Sequence, residues 1–378
     1  MKTLTALATL AALGVAAAAS AEIRIGSTLS ETGPAAFLGD PEAKTLKMLV
    51  DKLNAAGGIN GEEIALTLYD DGGDPNKART FATRLVEDDE VVAIIGGTTT
   101  GTTMSIIPVA EDAEVPFISL AGAVDIIDPV KEWVFKTPHT DRMACEKIFL
   151  DMQARGITKI GLISGTDGFG ASMRKQCLEV VGNYGIEVLA DESYGPTDAD
   201  MTPQLTNIKN TAGVEAVLNP GFGQGPSIVT RNFQQLAVGL PLYQSHGVAS
   251  KSFIDLAGVE AAEGVRLPGA ALLVADLLPA DDPQKPVVES YVTEFTGAYN
   301  EPVSTFGGHA YDAFKILTEA IARAGSAEPE AIRAEIEKTA GLVGTGGVVT
   351  MGPEDHLGLD LTAFRMLEIK DGNWTLVE

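Results

Sequence analysis

The stretch Gly96–Thr103, GGTTTGTT, sets three glycines and five threonines directly after the apolar run VVAII. Glycine lets a backbone approach a bound group closely, while turn amides and threonine hydroxyls donate hydrogen bonds, so the composition suits capture of a carboxylate. Phosphate chemistry fits less well. Gly96 and Gly101 have the G-x-x-x-x-G spacing of a phosphate loop, but Thr102 stands where a lysine must reach the β and γ phosphates. The same threonines would also serve as ordinary caps of a helix over Met104–Asp112, and the sequence leaves both uses open.

Other reactive arrangements are missing. There is no G-x-S-x-G elbow and no H-E-x-x-H helix, and DDGGDPN lacks the pattern of a calcium loop. Gly221, Gly223 and Gly225 miss the G-x-G-x-x-G dinucleotide spacing and read as a turn opening a helix at Ile228. His139, His246, His309 and His356 are scattered, with no pair at metal spacing. EDDE, Glu87–Glu90, reads as a solvated helix end. The expectation is recognition without catalysis, metal or cofactor.

Elements able to position such a turn recur along the chain. EIRIGSTL, a helix over Asp40–Ala55, EIALTLYD, a helix over Pro75–Glu87 and VVAIIGG alternate strand with helix. A second series follows, with helices over Asp141–Ala154, Ala171–Val181, Thr202–Asn210 and Ile228–Ala237 between short apolar strands. Helices over Pro286–Tyr299, Tyr311–Ala324 and Pro329–Thr339 and a terminal strand-turn-strand complete the pattern. Strands separated by helices imply parallel strands with crossover connections, so the fold class is α/β, doubly wound. In such sheets ligands sit beyond the carboxyl ends of the strands, where GGTTTGTT falls.

A length of 378 residues with 45% apolar composition exceeds one hydrophobic core and implies two lobes. The formal charge of −25 argues against nucleic acid and anionic lipid as partners, but local amides still permit a small anion. Lys2, the apolar run Leu4–Ala18 and Ala19-Ser20-Ala21 read as a signal peptide, 1–21, too short in its apolar core for the ~20 residues of a membrane span. Cys145 and Cys177 either pair in an oxidising compartment or stay as two buried thiols.

In order and spacing, IRIGSTLSETGPAAFLGD, NAAGGINGEEIALTLYDD, the run from DPNKART through EVPFIS, GTDGFG and GHAYDAF resemble the periplasmic solute-binding proteins of ABC importers, of the leucine/isoleucine/valine-binding type. The resemblance implies two doubly wound lobes with three crossings, 22–138 plus 270–353 and 139–269 plus 354–378, a periplasmic monomer, and a permease complex as partner. It also implies a carboxylate held by Thr100, with Thr99 and Gly101 beside it. A second anchor matches ISLAGA, where Ala121 keeps a backbone carbonyl, Gly122 follows, and Ala123 replaces the family's threonine. His246 falls where the family places an acid against the ligand ammonium. Leu38, Phe169, Phe222 and Phe306 match wall positions, although each phenylalanine is equally consistent with core packing. These departures favour a small organic carboxylate with an aromatic or other apolar tail. A branched-chain or other amino acid is the alternative, and a ligand-sensing module for a membrane receptor is the alternative of another class.

Overall fold

The computed structural model describes residues 22–377; the expected signal peptide, residues 1–21, lies outside them. The first lobe holds β1 (Ile23–Leu29), α1 (Ala36–Ala55), β2 (Ile64–Asp70), α2 (Pro75–Glu87), β3 (Ala93–Gly96), α3 (Thr100–Ala113), β4 (Phe117–Ser119) and β5 (Val134–Lys136). Its five strands run parallel in the order β2-β1-β3-β4-β5. The central strand β3, AIIG, is wholly buried, as expected of a parallel strand covered on both faces. Asp74 caps α2 by accepting the Asn76 N–H at 2.8 Å, and Pro75 takes the first helical position, where no N–H is needed. Gly58, at φ +72°, ends α1 in a conformation that disfavours side chains, and its N–H returns to the Leu53 carbonyl.

The second lobe is built from α4 (Asp141–Ala154), β6 (Lys159–Gly165), α5 (Gly168–Val180), β7 (Glu187–Tyr194), α6 (Thr202–Asn210), β8 (Ala216–Asn219), α7 (Gln224–Gln235), β9 (Leu242–Gln244), α8 (Lys251–Ala257), α9 (Val259–Ala262) and β10 (Arg266–Gly269). The chain continues through α10 (Lys285–Tyr299), α11 (Thr305–Ala324), α12 (Pro329–Ile336), β11 (Ala340–Val343), β12 (Val348–Thr350), β13 (Arg365–Lys370) and β14 (Asn373–Leu376). The hairpin β13-β14 adds antiparallel strands to the edge of the second sheet, in the order β14-β13-β10-β9-β8-β6-β7. Strands β11 and β12 form a separate two-stranded sheet.

The chain passes between the sheets after β5, between β10 and α11, and between β12 and β13. The second passage packs on both lobes. Leu272, Val288, Tyr291 and Phe295 join Leu267 and Leu367 in one core, while the Tyr291 hydroxyl meets Thr45 of α1 at 2.7 Å. α11 then lies along α1 and supplies Ala313, Ile316, Leu317 and Ala320 to the first core. Among the described residues no helix is long and apolar enough to cross a membrane.

Of the two options the sequence left for the cysteines, the fold takes the first: Cys145 of α4 and Cys177 of α5 are joined in a disulfide. The bridge closes a loop of sequence separation 32, restricting the unfolded chain. The double variant Cys145→Ala/Cys177→Ala is expected to lose about 2–4 kcal/mol in urea unfolding; an unchanged midpoint would show that the bridge contributes nothing to stability.

Candidate functional site

α3 starts at Thr100, one turn before the helix expected at Met104, and its start consumes most of the threonine hydroxyls. Thr99 is the N-cap. Its hydroxyl accepts the Thr102 N–H at 3.1 Å, and the Thr102 hydroxyl accepts the Thr99 N–H at 3.0 Å. The Thr103 hydroxyl donates to the Gly97 carbonyl at 2.7 Å. The Thr98 hydroxyl donates to buried Glu42 at 2.6 Å and accepts the Ser30 N–H at 3.0 Å. Thr100 differs from its neighbours: it is buried, and its Oγ1 has no hydrogen-bond partner among the described residues. The Thr99 hydroxyl and carbonyl take the N–H groups of Thr102 and Thr103, which leaves those of Thr100 and Gly101 at the helix start.

Thr98, Thr99 and Thr100 line a cavity enclosing about 420 Å³ of space, part of it open to solvent. From the first lobe come also Leu38, Leu120 and Gly122, and from α11 come Phe306 and His309. Phe169, Phe222, His246 and Gly247 close it from the second lobe, and Pro138 sits at a crossing. Gly101 lines the adjoining mouth with Asp167 and Gly168. Local capping places the second-lobe wall. Asp167 accepts the N–H groups of Phe169 and Gly170 at 2.9 and 3.0 Å, which fixes Phe169 in the first turn of α5. Phe169 meets Phe222 and His246 edge-on, with centroids 6.1 and 5.4 Å apart. After β9, the Ser245 hydroxyl donates to the Gly221 carbonyl and accepts the Gly247 N–H, holding the short turn that carries His246.

Ala123 requires a correction: its side chain packs into the core under α2 and α3 and does not line the cavity, whereas Leu120 and the expected Gly122 do. The Ala121 methyl packs into the same core, because extended chain turns alternate side chains to one face, and this leaves the role expected of its backbone carbonyl untouched. Gly122 also sits tight against the second lobe: a Cβ there would lie 2.8 Å from the Phe169 ring and 3.0 Å from His246 Nε2. Sequence reasoning missed Thr98, Leu120, Pro138, Gly247 and His309 as lining residues. His309 was the most accessible of these, since it follows Phe306 by three residues and so shares its helix face.

The histidines are scattered only in sequence. The His139 ring stacks on Phe364 at 3.9 Å, faces His309 at 6.3 Å, and His246 meets the same Phe364 edge-on at 5.5 Å. Among the described residues they form no group able to hold a metal ion. Burial, reinforced by their mutual proximity and by Lys136, pushes His139 and His246 down to about 3 and His309 well below the usual imidazole range. Lys136 is itself fully buried, with Nζ 3.5 Å from the His139 carbonyl. Burial lowers it to about 7 against the opposing pull of Asp141. Among the described residues, no aspartate or glutamate lines the inner cavity.

A family model described as periplasmic binding protein matches residues 22–373, and the chain belongs to that family. Its relatives include Leu/Ile/Val-binding protein homolog 3 of Brucella melitensis, 26% identical over 88% of this chain and 87% of that one. The leucine-, isoleucine-, valine-, threonine-, and alanine-binding protein of Pseudomonas aeruginosa is 25% identical over 90% and 89%. Among solved structures, an extracellular ligand-binding receptor from Rhodopseudomonas palustris HaA2 superimposes with a TM-score of 0.88 at 31% identity, covering 94% of this chain and all of that one. The fold is that of the type I periplasmic binding proteins.

Two expectations follow from this geometry. With folded-state values near 3 against an ordinary value of about 6.5, His139 and His246 take up protons in the unfolded chain first, so each withdraws stability as the pH falls below about 6.5. Their imidazole C2–H resonances are expected to stay fixed between pH 7.5 and 5; a midpoint near 6.5 would contradict the burial argument. Gly122→Ala is expected to weaken ligand binding at least about tenfold by wedging the lobes apart, and calorimetry on a variant with an unshifted unfolding midpoint checks it.

Proposed function

We propose that this protein is the substrate-capturing component of an ABC importer, working in the periplasm without chemical turnover, and that its ligand is a small acid with an apolar tail. The observation that carries the reading is the unpartnered, buried Thr100 hydroxyl beside the N–H groups of Thr100 and Gly101 at the start of α3. A helix N-terminus favours negative charge, and a carboxylate accepts from all three donors. Leu38, Phe169, Phe222 and Phe306 enclose the tail. Contacts from both lobes favour a closed form, which a permease then recognises, so capture is a shift in population.

A branched-chain amino acid is the second reading, and the names of the relatives support it more directly than they support an acid without an amine. The chemistry of the wall opposes it. An ammonium in this cavity would sit among neutral histidines and near buried Lys136 with, among the described residues, no carboxylate on the inner wall, and an unpaired buried charge costs several kcal/mol. Thermal unfolding in the presence of benzoates, phenylpropanoates, keto acids and amino acids separates the readings, since a ligand bound only by the folded state raises the midpoint. The expected hits are acids lacking an amine, and a shift with leucine or valine alone would reverse the choice. Thr100→Val, which removes one hydrogen bond to a charged group, is expected to weaken the best ligand about 10- to 100-fold; unchanged affinity would remove Thr100 from the site.

A further inference from the structure

We propose that His246 and His309 form a second recognition point, selecting acids that carry one uncharged oxygen, a hydroxyl or keto group, over both unsubstituted acids and amino acids. This rests on the carboxylate reading above and names the ligand class within it.

The argument starts from unsatisfied atoms. His246 and His309 are each more than nine-tenths buried, both line the cavity, and Nδ1 of each lacks a hydrogen-bond partner among the described residues. Buried polar atoms are nearly always paired, and those left unpaired mark a place where something else supplies the partner. Thr100 Oγ1 is the third such atom on the same wall, already assigned to the carboxylate. The two histidines reach the cavity from different elements, His246 from the turn after β9 and His309 from α11. A ligand atom meeting either ring therefore adds a contact that the carboxylate cradle does not make.

Charge decides what that atom is. The titratable groups acting on these rings are His139 and Lys136, with His246 also acting on His309, all bases; among the described residues no carboxylate lines the inner cavity to balance an ammonium, Asp167 lying at the adjoining mouth. A second carboxylate finds no full positive charge either, because both imidazoles are held neutral. A neutral imidazole presents one donor and one acceptor, which matches a hydroxyl in either sense and a keto oxygen as acceptor. A site built to hydrogen-bond such a group discriminates strongly against the analogue lacking it, because its own buried polar atoms are then left unpaired.

Calorimetry with matched ligands tests this. The probes are 3-phenylpropanoate, its 2-hydroxy and 2-oxo derivatives, 3-(4-hydroxyphenyl)propanoate and phenylalanine, with 4-methylpentanoate, its 2-hydroxy and 2-oxo derivatives and leucine as the aliphatic set. At least one oxygenated acid is expected to bind tenfold or more tighter than both its parent acid and the amino acid of the same skeleton. In His246→Phe or His309→Phe that ratio falls to within twofold. His246→Asn, which keeps a polar atom near the position of Nδ1, retains the preference, so loss in the phenylalanine variant is not a folding effect. A ratio near one in the wild type, an amino acid as the tightest ligand, or a ratio unchanged in both phenylalanine variants overturns the proposal. Thr100→Val separates it from the reading beneath. A wild-type ratio of one, with Thr100→Val still weakening every acid, overturns the histidine proposal alone; no effect of Thr100→Val on any acid overturns the carboxylate reading itself.

Discussion

The start of α3 carries more hydrogen-bond donors than the protein satisfies from its own atoms. A helix leaves its first N–H groups without intrahelical acceptors, and here the helix starts just beyond the carboxyl end of a buried parallel strand. Thr99 and Thr102 cap each other and Thr103 ties back to Gly97, but these bonds stabilise the turn and leave the Thr100 hydroxyl over. In the proposed reading, this surplus is what meets the ligand.

The surrounding wall sets what meets that surplus. The chain as a whole is strongly acidic, at −25, yet the inner cavity is lined by apolar side chains, hydroxyls and neutral imidazoles, with a buried lysine nearby. Net charge acts through water and ions over distances at which it is largely screened, whereas amides and hydroxyls within the cavity act at contact in a low dielectric. In the proposed reading, an acidic protein in this way holds an anion. The same low dielectric keeps the three histidines neutral, because burial penalises each charged form and each base adds to the penalty on its neighbours.

Legibility along the chain was uneven for a physical reason. The longer strands and the bodies of the long helices were readable because their apolar residues serve a lobe core and repeat at the core's period, whereas β4, β5, β11, α8 and α9 are too short to show a period. The starts of the helices that open onto the cleft were not readable. α1, α3, α5 and α11 begin at Ala36, Thr100, Gly168 and Thr305, whereas the apolar period begins at Asp40, Met104, Ala171 and Tyr311. Those opening turns carry Leu38, Thr100, Phe169 and Phe306, which face the cleft, so they do not follow the core pattern. In the extended loop after β4, alternation turns the Ala121 and Ala123 methyls into the core and leaves Leu120 beside Gly122 on the cavity, and Leu120 carries no pattern that marks it as a lining residue.

By itself the sequence determined the α/β alternation, the cap at Asp74-Pro75, the glycine-threonine turn after β3 and the absence of familiar catalytic motifs, because each depends on residues close together in the chain. Tertiary structure decided which of five threonine hydroxyls is left without a partner, since the partners of Thr98 come from Ser30 and Glu42. It also decided that His139, His246 and His309 share one neighbourhood, because they lie on a crossing, on a turn of the second lobe and on a helix returning to the first. Hydrogen-bond satisfaction and burial belong to the folded ensemble of contacts, and spacing along one chain does not contain them.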